Sequence, residues 1–315
     1  MKVIIQIPAF NEADALPISL ADLPTQIDGA TVVEWLVIDD GSSDNTSDVA
    51  KRHGVHHVVR HSYNQGLARA FMTGIEACLR LGADVIVNTD ADNQYLAADI
   101  PNLVRPIIEG RADFVIGERP ILETEHFSFV KKLLQRLGSF VVRVLSRTSI
   151  QDAPSGFRAI SREAALRLNV FNDYTYTLET IIQAGQTGIR TLSIPIRTNG
   201  YLRPSRLVKS IPHYVRRSLV TMFRVINIYK PLRFFMWLSI LPFTLGGILV
   251  IRWAVFYSGD TPASHIPSLL IGVGLILIGF QLLIFGLIAD IISVNRRLLE
   301  DIQYRLRKTA SVSNQ

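Results

Sequence analysis

Cysteine occurs once in the 315 residues, at Cys78, so no intrachain disulfide can form, which fits a reducing compartment. The opening MKVIIQIPAF has only a brief apolar run before Pro8, which suits a first strand and not a secretory signal. No G-x-G-x-x-G follows that run and no G-x-x-x-x-G-K-[ST] occurs anywhere, so neither a dinucleotide fingerprint nor a P-loop holds a nucleotide here. His53, His56, His57 and His61 lack zinc-type ligand spacing. Internal repeats and low-complexity segments are missing too. Acidic residues are absent between Arg197 and Arg233, where Arg203, Arg206, Lys209, Arg216, Arg217, Arg224 and Lys230 fall.

The chain is rich in apolar residues, at 48%. Phe234–Ile251 and Ile266–Ala289 are long apolar stretches. At about 1.5 Å per residue, roughly 20 residues cross a hydrocarbon core of about 30 Å. Pro242 and Gly246-Gly247 are tolerable in a membrane helix, and Arg252 can snorkel from its end. YSGDTPASH between the stretches reads as a polar turn, making a hairpin that enters and leaves on one side. Basic residues flank both outer ends, the second set being Arg296, Arg297, Arg305, Arg307 and Lys308, which predicts that both termini are cytoplasmic. The formal charge of +6 comes largely from the juxtamembrane tract, which suits anionic headgroups or a lipid phosphate and not nucleic acid. HFSFVKKLLQRLGSFVVRVLS interleaves bases with apolar residues, as either an interfacial amphipathic helix or a domain-packing helix with a wet face would.

The first half alternates apolar runs with helical patterns. KVIIQIP, VVEWLVID, VHHVVRH, ADVIVNTD and DFVIGER read as strands, and EADALPISLADL, SDNTSDVAKRHG and QGLARAFMTGIEACLRLG as helices. That order predicts a mostly parallel, doubly wound α/β sheet, whose ligands bind beyond the carboxyl ends of the strands. PAFNE, DDGSSDNT and DADNQY all fall at such ends.

In DADNQY, Asp90 and Asp92 share a face if the strand persists, and their crowded charges need a counter-charge. A hard cation, Mg²⁺ or Mn²⁺, would supply it, with Gln94 adding a carbonyl oxygen or orienting a water. The bland alternative is a turn or helix cap. In IDDGSSDNT, Asp39 or Asp40 can accept hydrogen bonds from a nucleobase or ribose, while Asp44 or Thr46 suits a helix cap.

IPAFNE, VIDDGSSDNT, NQGLARAFMTGI, NTDADNQY and DAPSGFRAISR, in that order and followed by two apolar spans, resemble family 2 glycosyltransferases of GT-A fold. The branch most similar in layout is that of polyprenyl-phosphate glycosyltransferases of the dolichol-phosphate mannose synthase type. The resemblance covers about the first two thirds of the chain. It implies a GT-A domain over 1–200, a basic juxtamembrane segment over 201–231, two transmembrane helices over 232–291 and a cytoplasmic tail over 292–315.

The resemblance further implies that Pro8, Ala9, Asn11 and Glu12 border the nucleotide, that Asp39 reads the base and that Asp40 lies near it. Asp90, Ala91 and Asp92 would hold ribose and a divalent metal, assisted by Gln94. Arg119 and Ser155–Arg158 would face the sugar and the acceptor phosphate, and Arg203, Ser205 and Arg206 would close over the phosphates. Asp92 and Arg158 are thus the expected catalytic residues, with Glu179 the available base should the acceptor be a hydroxyl.

A phosphate monoester arrives largely ionised and needs positive charge more than a base. The implied activity is therefore an inverting, metal-dependent transfer of sugar from a nucleotide-sugar donor to a polyprenyl phosphate, at the cytoplasmic face of the cell inner membrane. The alternatives are a glycolipid or saccharide hydroxyl acceptor, or a non-catalytic sugar-nucleotide-binding subunit. The Q-x-x-R-W signature of processive polysaccharide synthases is absent, against chain elongation. Self-association through the membrane part is also implied by the family.

Overall fold

The computed structural model is described for residues 1–120, 148–170, 176–199, 231–257 and 266–312, with positions 139, 140, 142, 143, 146, 220, 223 and 227. The juxtamembrane tract with Arg203, Ser205 and Arg206, the polar turn after Tyr257 and most of the basic segment after Glu125 lie outside the described residues.

The chain divides into two compact units, Met1–Ser218 with Glu300–Gln315, and Leu219–Leu299. The first is built on seven strands: β1 (Lys2–Ala9), β2 (Val32–Asp39), β3 (His57–Arg60), β4 (Val85–Asn88), β5 (Phe114–Glu118), β6 (Arg158–Ser161) and β7 (Thr191–Pro195). Their spatial order is β3-β2-β1-β4-β6-β5-β7. Between them run α1 (Leu16–Ala21), α2 (Thr46–Arg52), α3 (Leu67–Arg80), α4 (Ile100–Ile108), α5 (Arg162–Arg167) and α6 (Thr177–Gln186). β1 reads as a continuous apolar run because it is central and covered on both faces, with Val3, Ile4, Ile5 and Ile7 fully buried.

All the neighbouring pairs are parallel except those made by β6, which runs antiparallel to β4 and β5. This reversal decides where the site lies. Asn88 at the carboxyl end of β4 pairs with Arg158 at the start of β6, and Ile116 near the end of β5 pairs with the same residue. Segment 152–157 and Arg119 are thereby delivered to the edge where β1, β2 and β4 end. The sheet is mixed and, as expected, mostly parallel, and its reversed strand gathers more of the chain at one edge.

The second unit contains α7 (Pro231–Tyr257) and most of α8 (Ile266–Val312). Both are long and apolar enough to cross a membrane. Their flanks expose Leu241, Ile248, Ile251, Leu270, Phe280 and Ile291, as helices that face lipid do and a soluble core helix does not. Gly246 abuts the Gly272 carbonyl, Gly279 abuts Phe243 and Gly286 abuts Phe235, so the two helices pack antiparallel with glycines at the closest approaches.

The stretch TASVSNQ reads as a frayed tail, yet α8 continues as helix through Val312. Within the first unit, Tyr304 donates from its hydroxyl to Glu163 at 2.8 Å and lies under the Arg167 guanidinium at 4.9 Å. Arg307 donates to the Leu168 carbonyl at 2.8 Å and to Glu76 at 3.2 Å. These contacts hold the last helical turns against α3 and α5.

Candidate active site

Two linked groups of residues occupy the carboxyl edge. In the first, β1 and β2 end level, Ala9 opposite Asp39. Asn11 adopts a left-handed φ of 55°, and its side-chain oxygen accepts the Ser43 N–H at 2.8 Å, while its own N–H donates to Ser42 Oγ at 2.9 Å. Glu12 N–H donates to Thr46 Oγ1 at 3.0 Å, and Asp44 accepts the N–H groups of Ala13 and Thr46, which ties PAFNE to the start of α2. Asp44 thus forms a turn just before the helix, whose cap residue is Asn45 with no side-chain capping bond, where Asp44 or Thr46 is the expected cap. Asp39 is buried and accepts from Ser42 N–H at 2.8 Å and from the Ser47 hydroxyl, with Arg60 at 3.6 Å. Asp40 is buried too, bonded to His61 Nδ1 at 2.7 Å and to the N–H groups of Gln65 and Gly66 at 2.9 and 2.8 Å. His61, bonded to Thr73 Oγ1 at 3.0 Å through its other ring nitrogen, links Asp40 to α3.

The second group centres on Asp90. β4 stops at Asn88, so Asp90 and Asp92 do not share a strand face; they sit in the turn that follows. The turn is fixed by Asn93 at a left-handed φ of 55°, by Gln94 N–H on the Asp92 carboxylate at 3.2 Å and by Ser19 Oγ on the buried Ala91 carbonyl at 2.8 Å. Gly156 lies against Asp90: a Cβ there would come 3.1 Å from one carboxylate oxygen and 2.9 Å from the Tyr176 hydroxyl. Burial first, and the Asp92 charge second, push the Asp90 carboxyl up to about 7, against the pull of Arg119 and Arg158. Burial likewise raises the phenols of Tyr95 and Tyr176, with Asp90 adding to both.

Two arginines flank this acid differently. Arg119 makes a two-pronged pair with the fully buried Asp152, at 2.7 and 3.0 Å. Burial alone would weaken the Arg119 cation, but Tyr95 and Asp152 hold it above its ordinary value. Arg158 is 0% exposed, and its donors go to the carbonyls of Ser155, Ala153 and Thr177 and to Thr180 Oγ1. Burial pushes it down to about 10, which leaves it charged at neutral pH. Its guanidinium pins the 153–155 loop to α6. Ser155 Oγ is buried beside it with no hydrogen-bond partner among the described residues. Glu179 is 4% exposed, in the first turn of α6.

A buried chain of neutral groups lies beneath, and sequence reasoning missed it. Gln6 Nε2 donates to Asn88 Oδ1 at 2.9 Å; Asn88 Nδ2 donates to the Gly156 carbonyl at 2.8 Å and the Tyr176 hydroxyl at 2.9 Å. Gly156 N–H donates to the Tyr95 hydroxyl at 2.9 Å. Tyr176 stacks on Phe71 with centroids 3.8 Å apart, and Tyr95 on Phe157 at 4.9 Å. The available signal was one amide interrupting each of two apolar strands, KVIIQIP and VIVN.

Residues 4–168 match the family described as glycosyl transferase family 2. The chain belongs to that family and is a glycosyltransferase. It is 28% identical over 206 residues to an undecaprenyl-phosphate mannosyltransferase of Micrococcus luteus, covering 62% of this chain and 83% of that one. To glycosyltransferase AglJ of Haloferax volcanii it is 26% identical over 310 residues, covering 96% and 97%. Among solved structures it resembles glucosyl-3-phosphoglycerate synthase of Mycobacterium tuberculosis in complex with Mn²⁺, UDP and glucosyl-3-phosphoglycerate, with TM-score 0.54 and 19% identity over 70% of this chain and 79% of that one. The fold is GT-A.

Proposed function

We propose that the chain transfers a sugar from a nucleotide-sugar donor to a polyprenyl phosphate at the cytoplasmic face of the membrane, in a reaction that depends on a divalent cation. The observation that carries this reading is the placement of Asp90, buried against Gly156 and crowded by the Asp92 charge, which raises its carboxyl to about 7. Such a pair is short of positive charge, and Mg²⁺ or Mn²⁺ fits that deficit. With no third carboxylate, histidine or cysteine grouped there among the described residues, Asp90, Asp92 and Gln94 would hold the ion together with donor phosphate and water, the habit of a Mg²⁺ site. Bound there, the cation would neutralise charge on the departing diphosphate. A likeness to a structure with Mn²⁺ and UDP and a relative named for undecaprenyl phosphate support the reading.

The remaining work falls to the chain. The bond from the anomeric carbon to the donor diphosphate breaks as an acceptor phosphate oxygen bonds the same carbon from the opposite side, inverting it. Pro8, Ala9, Asn11, Glu12, Asp39 and Asp40 border the nucleoside. Arg119, already charged, faces the anionic groups, and Ser155 Oγ, buried without a partner among the described residues, has a hydrogen bond to offer a phosphate oxygen. Arg158 acts as a positioning residue through the 153–155 loop. An ionised phosphate needs no general base, and the burial of Glu179 favours phosphate over hydroxyl as acceptor. Arg203 and Arg206, outside the described residues, would supply positive charge toward the lipid phosphate, and the antiparallel helices would anchor the chain in the membrane that holds the lipid.

The test is to offer membranes containing the chain labelled UDP-, GDP- and dTDP-sugars with Mg²⁺ or Mn²⁺, then extract lipid. One donor should label a lipid, and chelation or Asp92→Asn should remove the label. Full labelling by Asp92→Asn, or a label recovered only in a soluble saccharide, would refute the proposal.

A further inference from the structure

The loop between β3 and α3, residues 61–66, carries an aromatic ring for which the fold has no packing use. Tyr63 is 67% exposed, although the backbone that carries it is held on three sides. His61 N–H donates to the Asp39 carbonyl at 2.8 Å. The N–H groups of Gln65 and Gly66 close on the Asp40 carboxylate. The backbone of Tyr63 and Asn64 lies so close to Gly41, which has φ of 71°, that any Cβ there would fall 2.7 Å from Tyr63 Cα and from Asn64 N. An exposed tyrosine is ordinary on a mobile loop. On a loop whose backbone is clamped to both aspartates of the IDDGSSDNT turn, it is a ring carried by a fixed backbone next to that turn.

We infer that Tyr63 is the stacking platform for the donor's nucleobase, a specificity-setting residue that works with Asp39; this rests on the nucleotide-sugar reading above. Stacking needs only a flat face held in place, and tyrosine provides one at low cost in side-chain freedom. Arg60, whose guanidinium bonds the Ser42 carbonyl at 2.9 Å on the same turn, adds a cation at the rim. Truncating a tyrosine that merely lies on the surface would leave nucleotide binding unchanged.

The experiment is calorimetric titration of the full chain in detergent with Mn²⁺, using UDP, GDP, dTDP and inorganic pyrophosphate as probes. Tyr63→Ala should weaken the preferred nucleoside diphosphate about tenfold, within the range for losing one base–aromatic stack. Pyrophosphate, which has no base, should bind as before, and Tyr63→Phe and Tyr63→Trp should stay within about twofold of the parent, a range well inside one lost stack. An unchanged nucleotide affinity in Tyr63→Ala overturns the inference, as does a parallel loss of pyrophosphate. If the parent chain binds none of the three nucleotides, the proposed function itself falls and takes this assignment with it.

Discussion

Gly156→Ala tests the geometry of the site at its tightest point. Gly156 does not need a left-handed backbone, so alanine is refused only by space. The added methyl would stand 2.9 Å from the Tyr176 hydroxyl and 3.1 and 3.3 Å from the two oxygens of Asp90. Tyr176 cannot retreat, because its ring lies flat on Phe71 at 3.8 Å. The strain therefore passes to Asp90. Overpacking of this kind costs about 1–3 kcal/mol in stability, and a displacement of even part of an ångström at a reacting centre costs on the order of ten- to a hundredfold in rate. Tyr176→Phe alone removes the hydrogen bond that the hydroxyl accepts from Asn88 at 2.9 Å and the long one it donates to the Gly156 carbonyl at 3.4 Å, about 1–2 kcal/mol together, while Asn88 keeps that carbonyl as acceptor. In the double variant the missing hydroxyl opens the space that the methyl needs. Sugar transfer and thermal unfolding of the four proteins should show a positive coupling, the double variant being more active and more stable than Gly156→Ala alone. Simple additivity, or a fully active Gly156→Ala, would show that Asp90 is not held from this side.

Three further outcomes follow from named contacts. Asp152→Asn should lower stability by about 3–5 kcal/mol, read by denaturant unfolding, because it leaves the Arg119 cation without its buried two-pronged partner. In metal-free protein the Asp90 carboxyl, ordinarily near 3.8 and here about 7, favours its protonated form in the fold; stability is therefore greatest below about pH 4 for this group and falls as pH rises through 7. Melting scans from pH 5 to 8 should show that decline, and Asp90→Asn should flatten it. Arg307→Ala, losing its bonds to the Leu168 carbonyl and Glu76, should cost about 1–2 kcal/mol, seen as a melting temperature lower by a few degrees.

The edge of the sheet was readable because each polar cluster follows an apolar run that can only be a covered strand, as in VVEWLVID before DGSS. The strands that close the sheet were not. β6 is RAIS, four residues opening with an arginine, and nothing local marks it; it is a strand because β4 and β5 offer it two partners. Arg158 shows the same limit. The resemblance turns the SGFR segment toward sugar and acceptor phosphate, but nothing local foretells that Arg158 is buried among carbonyls, which is a property of the 153–155 loop and α6 together. The Asp92 charge does act on Asp90, but both lie after β4 ends at Asn88 and not on a strand face. The continuation of α8 past Lys308 depends on Glu163, Leu168 and Glu76 waiting far away in sequence.

The chain of amides and phenols from Gln6 to Tyr95 holds no group that titrates near neutrality. Whatever happens above it as acids gain or lose protons and anions come and go, the floor on which Asp90 rests answers to none of it. A turnover cycle can thus alternate between crowded and neutralised charge while its reference plane stays put.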